Sequence, residues 1–159
     1  MVKLLLAAIA LLILAAIGAA AGALYLNHLP WDQPPGFGTR LQVYLTSHTA
    51  RTSRTSLFPE LRPRRYPLPP QKVESLVRDA MRGLGWTISV ENAGRHMIGA
   101  VVTTPLLRFK DDISVTISRD GNGSLVQAES RSRVGKADFG ANTRHIMNFY
   151  AALDAVAKP

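Results

Sequence analysis

The spacing of apolar residues changes character along the chain, and each change marks an element. Leu4 to Leu26 holds no charged side chain, twenty-three residues in a row after a lone Lys3. At about 1.5 Å of rise per residue, such a run crosses a hydrocarbon core of about 30 Å as a helix. Residues 28–39 then lose the apolar pattern: Leu29 to Thr39 (LPWDQPPGFGT) is rich in Pro and Gly, so an irregular, partly extended tether is expected. Leu41–Leu45 reads as a short strand or a docked segment, and Thr46–Thr55, rich in Ser, Thr and Arg, as loop. Pro59 to Pro70 (PELRPRRYPLPP) holds five prolines, which remove backbone donors, so it should wrap over the domain rather than pair in a sheet.

Helical spacing begins at about Gln71. Val73, Leu76, Val77, Ala80, Met81 and Leu84 recur at steps of three and four, a single stripe that Gly83 and Gly85 terminate. Alternation follows. Trp86–Val90 places Trp86, Ile88 and Val90 on one face; Glu91–Gly94 is a turn; His96–Thr104 is a second strand that Pro105 should end. In Asp111–Arg119, Ile113, Val115 and Ile117 oppose Ser114, Thr116 and Ser118. Asp120-Gly121-Asn122-Gly123 is hairpin chemistry, and Leu125–Val134 returns antiparallel. A turn centred on Asn122-Gly123 pairs Ile117 with Ala128, Asp112 with Arg133 and Ser114 with Arg131. A two-residue slip would set Asp112 against Arg131 instead, and apolar facing forbids a slip of one. Helical spacing returns at Asn142–Val156 through Ile146, Phe149, Tyr150, Leu153 and Val156, with Asn142 or Asp138 as cap. The expected fold class is α+β: an antiparallel four-stranded sheet covered by two helices, in the order helix-β-β-β-β-helix, behind one N-terminal transmembrane helix. Residues 1–27 form the anchor, 28–39 the tether and 40–159 a single domain.

A cleaved secretory signal is the rival to the anchor. Lys3 would be its basic region, Leu4–Ile17 its apolar core, and Ala19-Ala20-Ala21 or Ala21-Gly22-Ala23 its cleavage site. The apolar run outlasts the usual 7–15 residues, roughly, of a signal core. Tyr25 and Trp31 flank its end, where aromatic rings favour the membrane–water boundary. Either reading exports the domain. Lys3 on one side and Arg40 as the first cation on the other put the amino terminus in the cytoplasm by the positive-inside rule, and the domain on the periplasmic side of a bacterial membrane.

Composition narrows the chemistry. The chain has no cysteine, which excludes disulfides, a cysteine nucleophile, a thiolate metal site and lipidation of cysteine at the anchor. A net charge of +8 comes from fourteen Arg and five Lys against eleven acids. Arginine's planar fork suits carboxylate and phosphate, so anionic lipid headgroups and small anionic ligands are the candidate partners. Nucleic acid is not expected: an exported domain would rarely meet it, and stacking aromatics interleaved with the cations are lacking.

Ser130–Ile146 (SRSRVGKADFGANTRHI) carries the most distinctive motif: a strand ending in Ser132-Arg133-Val134-Gly135, then Asp138, Gly140 and Asn142, then Arg144 on a helix. With Phe109, Asp111 and Asp112 as an aromatic-plus-acidic strand start, it resembles the domain-of-unknown-function 1499 family of bacterial membrane-associated proteins. The resemblance covers roughly Ser47–Leu153, most specifically in its C-terminal part. It implies membrane association and brings no reaction with it. Two family features are altered here: Thr46–Ser56 stands where members often have a cysteine and a serine pair, and of the motif helix's basic run Arg144 and His145 remain.

Arg131, Arg133, Lys136, Asn142 and Arg144 are the candidate anion-binding residues. Arg131 and Arg133 share a strand face, Gly135 and Gly140 would let backbone approach a ligand, and the helix start at Asn142 would offer free N–H groups and a positive dipole end. A structural corner would use the same residues: Arg133 on Asp112, Arg131 on Glu129 or Asp111, Asp138 capping the helix. Arg62, Arg64 and Arg65 are candidates for a membrane surface or a solvated loop. Asp111 and Asp112, adjacent on a strand, point to opposite faces, which disfavours an acid–base dyad. His28, His48, His96 and His145 lack the spacing of a zinc pair. No G-x-S-x-G elbow, dinucleotide or phosphate-loop glycine pattern occurs. No metal or cofactor is implied. The first expectation is a non-enzymatic membrane-anchored module binding an anionic ligand, lipid headgroup or protein; the alternatives are an envelope enzyme using the arginines as an anion clamp, and a structural scaffold. Oligomeric state stays open.

Overall fold

A computed structural model describes residues 1–92, 94, 96–104 and 108–158. The uncharged run forms α1 (Val2–Leu26), a helix long and apolar enough to cross a membrane, with mean hydropathy 2.8 over its best window. Its residues up to Ala19 are exposed, whereas Ala20, Gly22, Ala23 and Leu24 are partly covered. The tether that follows is docked rather than loose. Leu29 is buried, and Trp31 packs edge-on against Tyr44 and tilted against Phe37.

Residues expected as a short strand or docked segment are helical instead: α2 spans Phe37–Thr46. Leu41–Leu45 alternates locally, but the buried pair is Arg40 and Tyr44, four apart and therefore on one helical face. A charged residue on the inner face hid the helix from the hydrophobic pattern.

The sheet has six strands, two more than expected: β1 (Thr49–Arg51), β2 (Arg64–Tyr66), β3 (Thr87–Asn92), β4 (Met97–Thr103), β5 (Lys110–Asp120) and β6 (Gly123–Ser132). All pairings are antiparallel in the order β1-β6-β5-β4-β3, and β2 also pairs with β6, against residues 124–126, while β1 takes 129–131. The proline-rich wrap therefore does pair. Only the three residues between Pro63 and Pro67 do so, and only at the edge, which is where proline-bounded segments fit a sheet. Three-residue strands carry too little alternation to announce themselves.

Turn chemistry chose the register. Asp120 pairs with Gly123, so the turn is centred on Gly121-Asn122 and not on Asn122-Gly123. Gly121 supplies the positive φ (60°) at the first central position, where glycine is favoured. Ile117 thus faces Val126, Ile113 faces Ser130 and Asp112 faces Arg131, the register slipped by two. Gly123 itself lies so close to the Tyr66 carbonyl that no Cβ fits. Gly123→Ala is expected to cost about 1–3 kcal/mol, because backbone must move to admit the methyl. Urea unfolding in detergent measures this, with Gly83→Ala, whose added methyl meets nothing within 4 Å, as the control that loses no stability.

α3 (Pro70–Gly83) and α4 (Ala141–Val156) cover one sheet face, giving two layers. Val73, Val77, Ala80 and Met81 from α3, and Ile146, Phe149, Tyr150 and Leu153 from α4, meet Ile98, Ile113, Val115, Ile117 and Val126 in one core. In β3 the expected facing fails beyond Ile88. A register shift between Ile88 and Val90 leaves Val90 52% exposed, as an extra bulge residue turns the following side chain away. Glu91 and Asn92, expected in a turn, still pair with Ile98 and Met97; the rest of that turn and the expected stop at Pro105 lie partly or wholly outside the described residues. Among the described residues no helix covers the opposite sheet face, where Ser114, Thr116, Gln127 and Glu129 line a shallow depression of about 230 Å³.

Candidate functional site

The corner singled out in the sequence is where β5 begins, β6 ends and α4 starts. Strand alternation divides it. Asp111 points inward to the helix layer and is 2% exposed, while Asp112 points outward. The inward carboxylate meets His145 of α4, Oδ2 to Nε2 at 2.9 Å, and a hydrogen bond from the Ser132 hydroxyl. Burial would push the Asp111 pKa up, but the His145 and Ser132 hydrogen bonds outweigh it and hold it below the usual carboxylate range. The His145 ring stands edge-on to Trp86 at 6.2 Å.

Asn142 is fully buried. Its Nδ2 faces the His48 carbonyl (2.9 Å), Ser132 Oγ (2.9 Å) and Asp138 Oδ2 (2.6 Å), and its Oδ1 accepts from Ser130 Oγ (2.6 Å). One side chain thus ties β6, the segment before β1 and the loop before α4. Asp138 serves the helix start: Oδ1 accepts from the Gly140 N–H at 2.7 Å, and the Asn142 N–H also bonds this carboxylate. Burial raises the Asp138 pKa despite these bonds. Of the N–H groups at the start of α4, those of Gly140 and Asn142 are therefore already taken by the Asp138 carboxylate and that of Ala141 by the Asp138 carbonyl. Gly140, at φ 83°, leaves room for an intruder, and the intruder is Leu29. No side chain but glycine would let Leu29 sit there.

The five anion candidates do not converge. Arg131 and Arg133 lie on the open sheet face. Arg133 holds Asp112 through Nε (2.9 Å) and Nη2 (2.6 Å), a diagonal pairing that raises the arginine's pKa, and Arg131 Nε donates to Thr49 Oγ1 at 3.3 Å. Glu129, one expected partner of Arg131, pairs with Arg51. Asn142 is inside the helix layer and Arg144 sits half-exposed on α4. Lys136 is exposed in the connecting loop with Val134, which is 68% exposed. Among the described residues, the side chains of Lys136 and Arg144 have no hydrogen-bond or ion-pair partner. Of the other cluster, Arg64 pairs with Asp154 over the Tyr150 ring, Arg65 with Asp120, and Arg62 donates to the Ser56 carbonyl. No group of three His, Asp or Glu among the described residues is placed to hold a metal ion.

Two features had no sequence signal beyond their residue types. Arg40 is 0% exposed: Nη1 meets Glu60 Oε1 at 2.5 Å and Tyr44 Oη at 2.9 Å, Nε donates to the Gln33 carbonyl and Nη2 to that of Pro34. Glu60 and Tyr44 outweigh the burial that would lower its pKa, and it stays raised. Second, Asn27, the first residue after α1, donates from Nδ2 to the Phe139 carbonyl at 2.9 Å. The exit of α1 is stitched to the corner loop.

A family model described as "Protein of unknown function (DUF1499)" matches residues 30–153. The chain belongs to the DUF1499 family. The DUF1499 match takes in the docked tether and α2 as well as the sheet and most of α4. No curated protein matches. Among solved structures, the DUF1499 chain is similar to TTHA0849 from Thermus thermophilus, at 12% identity and TM-score 0.38, over 69% of this chain and 96% of that one. It is also similar to CalU16 from Micromonospora echinospora, at 16% identity and TM-score 0.34, over 70% and 87%.

Proposed function

We propose that this DUF1499 protein is a single-pass membrane module, amino terminus in the cytoplasm, whose exported domain holds its corner loop against the bilayer and binds anionic headgroups there. The observation that carries this reading is the stitch between Asn27 and Phe139, with Leu29 seated on Gly140. Phe139 follows Lys136 by three residues and Val134 by five, and Arg144 stands in the first turn of α4. An apolar side chain beside unpaired cations suits a surface of lipid phosphates, where each cation adds about 1 kcal/mol. Lys136 and Arg144 lie on different elements and line neither described depression, which favours a broad anionic surface over a small ligand.

The test uses the full chain in nanodiscs. Anionic lipid is expected to raise its thermal midpoint over zwitterionic lipid, and Lys136→Glu with Arg144→Glu to remove the difference, while Arg62→Glu does not. An unchanged midpoint in every lipid would leave the structural scaffold as the reading. The enzyme alternative draws on the buried Asp111–His145 pair; on the lipid reading, His145→Gln leaves the lipid dependence intact.

A further inference from the structure

The inner face of α2 is accounted for by Arg40 and Tyr44, but beside it runs an apolar line that stays largely uncovered even though Trp31 packs against its first residue, Phe37. Phe37 is 61% exposed and Leu45 42%, and Leu41, between them, is half-buried. At 3.6 residues per turn these three follow one edge of the helix. Arg40 and Tyr44 border that edge on the protein side, and Gln42 and Thr46 on the solvent side. We infer that this edge of α2 lies in the bilayer interface, as an amphipathic helix packed flat against the lipid at the mouth of α1. The inference rests on the membrane reading of α1 given above.

Three observations select lipid as the occupant. First, α2 cannot drift away from α1. Trp31, five residues past Leu26, packs against both Phe37 and Tyr44, with ring centroids at 5.3 and 5.4 Å, and so pins two turns of α2 near the exit of the span. Second, the body meets α1 early. A bilayer core needs about 20 helical residues, which from Leu4 extends to Ala23, yet the covering of α1 starts at Ala20. Whatever part of the chain covers these residues lies at headgroup depth, and apolar surface beside it faces lipid. Third, α2 carries a single charge, Arg40, and its guanidinium is buried on Glu60. The exposed surface of the helix is therefore uncharged, and seating it at the interface desolvates no ion. Apolar side chains on one edge with a polar strip behind them are what an interface-lying helix needs.

The absence of cysteine makes the test direct, since any introduced cysteine is the sole labelling site. Full-length Leu41→Cys, Leu45→Cys, Gln42→Cys, Thr46→Cys and Ile13→Cys, each carrying an environment-sensitive fluorophore, are reconstituted into vesicles. They are then quenched from the lipid side by shallow spin-labelled phospholipid and from the water side by iodide. The expected result is several-fold stronger lipid quenching at 41 and 45 than at 42 and 46, with the reverse order for iodide, and Ile13→Cys shielded from iodide. Equal iodide access at 41, 42, 45 and 46 with Ile13→Cys still shielded overturns this inference and leaves the membrane anchor standing. Iodide access at Ile13→Cys overturns both. Shielding at 41 and 45 from both quenchers, with label–label self-quenching that grows with protein density, overturns it in favour of a second copy of the chain.

Discussion

Replacing Arg40 with methionine is expected to lower stability by about 3–5 kcal/mol, the cost of stripping one partner from a buried ion pair. Methionine fills a similar volume, so packing loss is small and the lost charge dominates. Glu60, at 10% exposure, would keep its carboxylate without its counter-ion, and the carbonyls of Gln33 and Pro34 and the Tyr44 hydroxyl would each lose a donor. The damage should be local as well as large, because all of these partners lie in the tether, α2 and the turn at Pro59–Leu61. Hydrogen exchange on the full chain in detergent is the measurement. The amides of α2 are expected to lose most of their protection while β4 and β5 retain theirs. Glu60→Gln should also destabilise, since it leaves the buried Arg40 guanidinium without its counter-ion and sets an amide nitrogen against Nη2, where Oε2 now accepts. Equal loss of protection across the sheet would mean that the clamp belongs to the global core and not to the membrane-proximal segment.

Asn142→Ala is expected to cost about 3 kcal/mol, in the range of leaving one or two buried polar groups unsatisfied. Ser130 Oγ loses its acceptor, and Ser132, Asp138 and the His48 carbonyl lose a shared donor. Asn142→Asp distinguishes hydrogen bonding from mere volume. The new carboxylate would face Asp138 at the distance where Nδ2 now donates, and two close carboxylates cannot both ionise cheaply. A carboxyl with a raised folded pKa favours folding below its ordinary pKa, and that contribution is lost as pH rises through the raised value. Asn142→Asp is therefore expected to be less stable than Asn142→Ala at pH 7, with the gap closing as pH falls through the raised value towards the ordinary carboxyl pKa of about 4. Denaturant midpoints at several pH values decide it; a gap that stays constant with pH would show that volume governs the site.

How much of this was legible beforehand depended on whether burial followed hydrophobicity. α3 and α4, and β4 to β6, present aliphatic side chains at regular steps and appear where those steps predict. α2 escapes the pattern because its inner face is an arginine and a tyrosine, which read as solvent-facing until Glu60 is seen beside them. β1 and β2 escape it because three residues contain only one and a half alternations. The bulge after Ile88 has no marker in the residues themselves. At the corner, Asp112 with Arg133 and the capping role of Asp138 both stand among the structural alternatives that the sequence offers. Asn142 and Gly140 suggest a ligand site, and the structure instead gives the amide to a buried junction and the glycine to Leu29. A glycine at positive φ announces a close approach but not what approaches, and here the neighbour lies over a hundred residues away in sequence.

The stitching of residues 27–40 also limits how far the domain can travel. A slack coil of ten or so residues would let a tethered body roam by roughly 5–6 Å times the square root of its length, near 20 Å. Here Leu29, Trp31 and Arg40 take up that slack. On the membrane reading, the domain cannot fish for targets across the envelope. It turns and tilts with its own stem, so a binding partner must share its leaflet and drift into it sideways.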